Sequence, residues 1–429
     1  MIVTYHDYDS ARPCYVDLMI KRRLEILLLL LALAACSSNN QSRKAIAIVD
    51  TAVVDVRRGI GLPHMDVVVQ EDKITSVAPT GGRLPSAASV ISGKGRFLIP
   101  GLWDMHIHEA DDPRALGLLL AAGITGARDM NSDPQKALEN RKRIESGQLD
   151  GPRLMVAGPV LEGPPSKPDN ETWIIRTPQE ADKAVASLAA LGVDFIKVHD
   201  HLSREASHAV ADSAKAAGLP FVGHVSEWIT PAEASDMGQK SIEHFEFLPK
   251  KCLALLDPKR SDTPLGCDRA TLDALMKTFA RNGTWLDPTA EAFRYFAPEQ
   301  WGKIRSCYRD LAGLIRANGV KVLAGTDQSG YLESKGSMPG RSLHEELGYL
   351  VDAGFSPVEA LRAATTGPAE FVGLAASLGT VEAGKSADLV LLDADPLQDI
   401  RSTTRIAAVI RQGRLYDAAA LRRLRNRKP

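Results

Sequence analysis

The sequence predicts an α/β protein: a (β/α)8 barrel carrying a small β-sandwich domain built from both chain ends. Two changes of texture and one match of size lead there. Between about residues 99 and 375, apolar runs alternate with amphipathic helical segments, the pattern of parallel βα units. On either side of that stretch, short β-branched runs are punctuated by glycine. The strand candidates of the middle begin at Leu102, Ile124, Leu154, Phe195, Phe221, Ile242, Trp285 and Val322. That is the strand number of a TIM-like barrel, and the stretch has the size of roughly 250 residues typical of one. A doubly wound sheet lacks its usual support, because no Gly-rich dinucleotide fingerprint follows the first strand.

The elements follow in order. Lys21-Arg22-Arg23 precede the apolar run 26–35, which ends in Leu33-Ala34-Ala35-Cys36. Basic residues, a short apolar stretch and small residues make an export signal, and the run is too short to span a bilayer, which takes about 20 apolar residues. The four closing residues resemble a bacterial lipobox, which makes Cys36 the site of a lipid anchor. With no Asp after Cys36, the expected destination is the periplasmic face of the outer membrane. Met19 is the better start, and residues 1–18 read as a mis-assigned extension. Residues 37–43 are a polar linker. Residues 44–98 and 376–418 form the composite β-domain, and 99–375 the barrel. Helices are expected over 114–122, 180–191, 204–217 and 269–281.

Composition narrows the function. The 429 residues hold 52 Lys plus Arg against 53 Asp plus Glu, a net charge of −1, which argues against a general nucleic-acid binder. Five cysteines in a chain of this length make no disulfide scaffold. Cys252 and Cys267 are close enough in sequence to pair in an oxidising compartment, and equally compatible with two free thiols.

Barrel active sites lie at the C-terminal ends of strands. There the sequence places His106 and His108, Lys197 and His199, His224, His244 and Asp327. Taken singly, a histidine at a strand end is more often a hydrogen-bonded structural residue, and an Asp after Gly-Thr a helix cap. Together, imidazoles and a carboxylate at the ends of successive strands make a cage suited to Zn²⁺ and similar ions. His106 and His108 are two apart, so both can face the barrel mouth.

Pro100-Gly101-Leu102-Trp103-Asp104-Met105-His106-Ile107-His108 resembles the first-strand motif of the amidohydrolase superfamily. The late segments Ala363-Ala364-Thr365-Thr366-Gly367-Pro368-Ala369 and Gly379-Thr380-Val381-Glu382-Ala383-Gly384-Lys385-Ser386-Ala387-Asp388-Leu389-Val390 are similar to that superfamily too, so the likeness runs over nearly all of the chain after the signal. Phe195-Ile196-Lys197-Val198 is similar to its prolidase-like and imidazolonepropionase-related branch. The resemblance implies two divalent metal ions. His106, His108 and Asp327 would hold the more buried one, His224 and His244 the other, and Lys197, carboxylated by CO₂, would bridge them. A hydroxide shared by the metals would attack a carbonyl, and Asp327 would carry its proton to the leaving nitrogen.

One feature competes. His224-Val225-Ser226-Glu227 is the pattern in which single-metal deaminases of the superfamily place a Glu as proton shuttle. For the substrate, expected to be a dipeptide or N-acyl amino acid, the candidate contacts are His199, Arg128, Tyr331, Arg341 and His344. Arg128 reads equally as the partner of its neighbour Asp129. The glycine-rich segment 328–341 and the insertion 248–268 are candidate borders of the pocket. The rival readings are a cyclic-amide or lactone hydrolase, the deaminase, and a surface binding lipoprotein without catalysis.

Overall fold

The computed structural model describes residues 45–86, 88–244 and 269–427. The signal segment, the lipobox at Cys36, the insertion 248–268 and both Cys252 and Cys267 lie outside them.

The first strands, β1 (Ile46–Asp55), β2 (Ile60–Gln70), β3 (Lys73–Pro79), β4 (Ser89–Ser92) and β5 (Phe97–Pro100), lead into the barrel. Its strands are β6 (Leu102–Ile107), β7 (Ile124–Asp129), β8 (Arg153–Val156), β11 (Ile196–Val198), β12 (Phe221–Gly223), β13 (Ser241–Glu243) and β14 (Trp285–Asp287). Two further short strands, β9 (Val160–Glu162) and β10 (Thr172–Ile174), extend the edge beside β11. The chain ends with β15 (Leu389–Leu392), β16 (Ile406–Arg411) and β17 (Arg414–Tyr416).

Parallel pairing joins β6, β7 and β8, and again β11, β12, β13 and β14. The Asp194 amide donates to the Val156 carbonyl at 2.8 Å and links β8 to β11. Bridges from Leu286 to Val322 and from Ile107 to Gln328 bring the segment 322–328 between β14 and β6. Each strand candidate thus stands within one residue of its expected start, except that the eighth makes only an isolated bridge. Helices at Pro113–Ala121, Pro178–Leu191, Arg204–Ala216 and Arg269–Asn282 match expectation. A recurring device starts them. Asp112, Asp133, Thr177, Thr230 and Ser356 each cap a helix through the side chain, and each is followed by proline. The cap satisfies a free amide, and proline costs no hydrogen bond there.

Trp103, Met105, Phe195, Val222, Trp285 and Leu323 gather into one apolar cluster with Phe371. They come from early strand positions and fill the end of the barrel opposite the histidines. The chain ends do build one β-unit, and hydrogen bonds run through it as a single sheet in the order β17-β16-β15-β5-β1-β2-β3, with β4 beside β1. Strands of the two chain ends join because β5 pairs with β1 on one side and β15 on the other, and the order curls so that Lys73 bridges to Ser386. Ile48, Val67, Leu98, Leu391 and Ile410 from both chain ends share its core. A helix absent from the sequence reading, Ala418–Arg425, packs Leu421 and Leu424 against Leu120. Among the described residues, no helix is long and apolar enough to cross a membrane.

Candidate metal centre

Four imidazoles and a carboxylate meet at the barrel mouth. His106 Nε2 lies 3.2 Å from His108 Nε2 and 3.3 Å from Asp327 Oδ1. His108 Nε2 is 3.0 Å from that same oxygen. The His244 ring sits 4.8 Å, centroid to centroid, from both His106 and His224. Lys197, deep in β11, is buried beside them.

The opposite ring nitrogen of each histidine is tethered. His106 Nδ1 is 3.1 Å from Glu243 Oε2, His108 Nδ1 3.1 Å from the Asn131 carbonyl, and His224 Nδ1 2.7 Å from Asp200 Oδ1. Those three partners only accept, so Nδ1 carries a proton, and in the neutral ring Nε2 keeps its lone pair. His244 Nδ1 meets the Thr289 hydroxyl at 2.6 Å. His106 Nε2, His108 Nε2 and Asp327 Oδ1 converge at 3.0–3.3 Å from one another. A cation among these atoms, a metal ion or a ring proton, offsets the mutual repulsion of their lone pairs. This is the donor arrangement that metal-bound histidines adopt, each held by a second partner behind it. The donor set therefore fits a divalent metal.

Electrostatics agree. Burial holds the His106 imidazolium below its ordinary range, with the Lys197 charge adding to the effect. Burial pushes His224 well below, and His244 down to about 3. These rings are neutral at pH 7. Burial also lowers the Lys197 ammonium, which favours the free amine.

The backbone is bent to deliver these groups. His244 (φ 56°) and Asp327 (φ 57°) take left-handed conformations that side-chain-bearing residues seldom adopt. Gly325 is required two residues before Asp327. A Cβ there would stand 2.6 Å from His106 Cβ and 2.4 Å from Asp287 Oδ2.

The comparison with known families now decides what this arrangement is. The model of the Amidohydrolase family matches residues 97–416, most of the chain. The chain belongs to the amidohydrolase family. Ochratoxinase of Aspergillus niger is 24% identical over 368 residues, covering 71% of this chain and 72% of that protein. Among solved structures, a putative prolidase from Bifidobacterium longum superposes with a TM-score of 0.71 at 26% identity, covering 90% of this chain and 99% of the other. A Xaa-Pro dipeptidase with methionine bound in its active site gives 0.71 at 21% identity, covering 87% and 100%, and shares the fold. Family and donor geometry together make this chain a metal-dependent hydrolase.

The amidohydrolase cavity at the mouth measures about 550 Å³. It is lined by His108, Lys197, His199, His224, His244 and Asp327, and by residues outside the sequence reading, Glu162, Phe293 and Phe296 among them. His199 Nδ1 is held at 2.6 Å by the buried Glu162 carboxylate, so its other nitrogen is presented to the cavity wall.

Three expected substrate contacts are corrected. Arg128 is fully buried beneath the site. It donates to Glu243 Oε2 at 2.7 Å, to Asp287 Oδ2 at 3.1 Å and to Ser241 Oγ at 2.8 Å, so its charge is spent on carboxylates of β13 and β14 rather than on a ligand or on Asp129. Burial alone would raise the Glu243 carboxyl, but Arg128 and His106 outweigh it and keep Glu243 ionised. Burial and the Glu243 charge raise Asp287 well above its ordinary range. His344 is buried against Thr403 Oγ1 and the Ala122 carbonyl, each at 3.0 Å. Ala122 ends a helix that runs back from the mouth, so His344 lies at the far end of the barrel. Arg341 is exposed and pairs with Glu345 on its own helix. Tyr331 is half-exposed and stacks on Phe296.

Glu227, the shuttle of the deaminase reading, does not line this cavity. It is half-exposed, 3.7 Å from His201. Glu162, Asp200 and Thr289 had no signal at the level of single motifs. Glu243 did, because it immediately precedes a ligand histidine at a strand end.

Proposed function

We propose that this chain hydrolyses a peptide or amide C–N bond in a small substrate of the dipeptide or N-acyl amino acid type. In this reading two divalent ions, zinc by donor chemistry, are held by His106, His108, Lys197, His224, His244 and Asp327. The observation that carries it is the convergence of His106 Nε2, His108 Nε2 and Asp327 Oδ1 beside a buried lysine. Metal ions bound there supply Lewis acidity to a carbonyl oxygen and lower the pKa of attached water.

The chain's own residues do the rest. Burial disfavours the Lys197 ammonium, and its free amine adds to the carbon of CO₂ with release of one proton, giving a carbamate that carries a negative charge over two oxygens. Glu243, Asn131 and Asp200 fix the tautomers of His106, His108 and His224. The Asp327 carboxylate takes the proton of the attacking water and delivers it to the leaving nitrogen, so the amine departs neutral. His199, oriented by Glu162, contacts the substrate. Cyclic amides and lactones are the nearest alternatives, because they present the same carbonyl. Outside the barrel, the signal pattern and Leu33-Ala34-Ala35-Cys36 support an exported lipoprotein of the periplasm, anchored at Cys36.

The test is turnover of dipeptides and N-acyl amino acids by the zinc-loaded protein, with Asp327→Asn beside it. The variant should lose activity by 10³-fold or more, while circular dichroism stays that of the wild type. Full activity in Asp327→Asn would remove the proposed proton path.

A further inference from the structure

One wall of the metal cavity is aromatic, and no step of the hydrolysis uses it. Phe293 and Phe296 lie three residues apart on the helix Ala290–Phe296, so both present the same face. Phe293 sets its edge against the ligand histidine His244, with centroids 6.4 Å apart and planes at 78°. Phe296 stacks on Tyr331 at 5.6 Å with planes 11° apart. The two elements come from different βα units, the helix after β14 and the turn after Asp327. Phe293 and Phe296 line the cavity, and Tyr331 stacks on the outer of the two. Phe296 and Tyr331 are 48% and 55% exposed, a costly place for flat apolar surface unless something covers it. The same cavity is also lined by the polar residues Asn131, Ser166, Lys167, Thr172 and His199.

We infer that Phe293, Phe296 and Tyr331 form a subsite for an aromatic ring flanking the scissile bond. The substrate class is then an amide with two unlike ends: an aryl group against this wall and a polar group, such as a carboxylate, against Asn131, Ser166, Thr172 and His199. A cavity of about 550 Å³ takes a molecule of that size. A planar substrate ring extends the existing stack, an offset arrangement that aromatic rings favour. The subsite rests on the hydrolase reading for the position of the bond, but not for its ability to bind.

The experiment therefore has two arms. In the first, calorimetry measures binding of 3-phenylpropionate and of propionate, neither of which can be hydrolysed, to the zinc-loaded protein. The phenyl compound should bind at least roughly ten-fold more tightly, the size expected for one well-stacked ring. In Phe296→Ala the ratio should fall below roughly two-fold, and in Tyr331→Ala it should fall part of the way. Phe296 is half-exposed, so its truncation leaves the fold in place. Equal binding of the two acids by the wild type, or an unchanged ratio in Phe296→Ala, would overturn the subsite. In the second arm, N-benzoylglycine and N-acetylglycine are offered as substrates, with kcat/KM expected to favour the benzoyl compound and to lose that preference in Phe296→Ala. Failure to cleave either, with the binding ratio intact, would sink the hydrolase reading and leave the aromatic subsite standing. Cleavage of both at equal rates would sink the subsite and leave the hydrolase.

Discussion

The terminal sheet and the barrel mouth solve opposite problems. In the sheet, β1 and β2 run 10 and 11 residues, and the core they share with β5, β15 and β16 is aliphatic. At the mouth, β11, β12, β13 and β14 are three residues each. There the core gives way to buried histidines, carboxylates, a lysine and an arginine, and His244 and Asp327 take strained backbone conformations. Left-handed backbone occurs in the sheet as well, at Asp50 and His64, so what sets the mouth apart is the cluster of polar groups that it buries together. The strain at the mouth persists because regular packing elsewhere fixes the strands that deliver it.

This contrast can be broken at its most charged point. Arg128→Met leaves the Glu243 carboxylate buried beside Asp287 without its guanidinium. Urea unfolding of the metal-free protein should show a loss of about 3–5 kcal/mol, the cost of an uncompensated buried charge. A loss below 1 kcal/mol would mean that Arg128 does not carry the network. In the sheet, Leu391→Ala should cost about 3 kcal/mol by opening an aliphatic core, with metal binding unchanged in the fraction that stays folded.

Acid separates the two ends of the barrel. His344 lies remote from the metal site, and burial lowers it to about 4. Unfolded, it titrates near its ordinary 6.5. Between those values the unfolded chain binds the extra proton. Stability contributed by the neutral ring is thus complete above pH 6.5 and is lost as pH falls toward 4, by up to about 3 kcal/mol. Urea midpoints of the metal-free protein between pH 7 and 4 should fall accordingly, and His344→Leu should flatten that part of the curve. An identical slope in the variant would contradict the assignment. The smallest effect sharpens the mouth alone. Glu243→Gln keeps the shape of the side chain but weakens the anchor on His106 Nδ1, and zinc affinity in a chelator competition should drop about 10–100-fold. Unchanged affinity would make Glu243 a structural partner of Arg128 only.

The legibility of the chain follows the same division. Apolar runs such as Phe221-Val222 and glycine turns made the strands readable, and the ligand types at their ends made the site readable. The cap-then-proline starts mark helices in sequence as they do in space. Arg128 misled because strand alternation says which face a side chain takes, not how deep the barrel lies around it or what faces it across the ring. Glu243 and Asp287 come from strands more than a hundred residues later, and only ring closure puts them under Arg128. His344 misled for a related reason: its helix borders the barrel, but its partners Ala122 and Thr403 belong to the opposite end. The join between the two chain ends depends on β5 pairing on both edges, which no local pattern encodes.

The central claim is that the mouth holds two metal ions bridged by Lys197. Elemental mass spectrometry of the purified protein, supplied with zinc and bicarbonate and freed of loose metal, tests it directly. The account predicts about two divalent ions per chain, falling in Lys197→Ala and in His106→Ala. One ion per chain in the wild type, unaffected by Lys197→Ala, would contradict the bridged site, and none would remove metal from the account altogether.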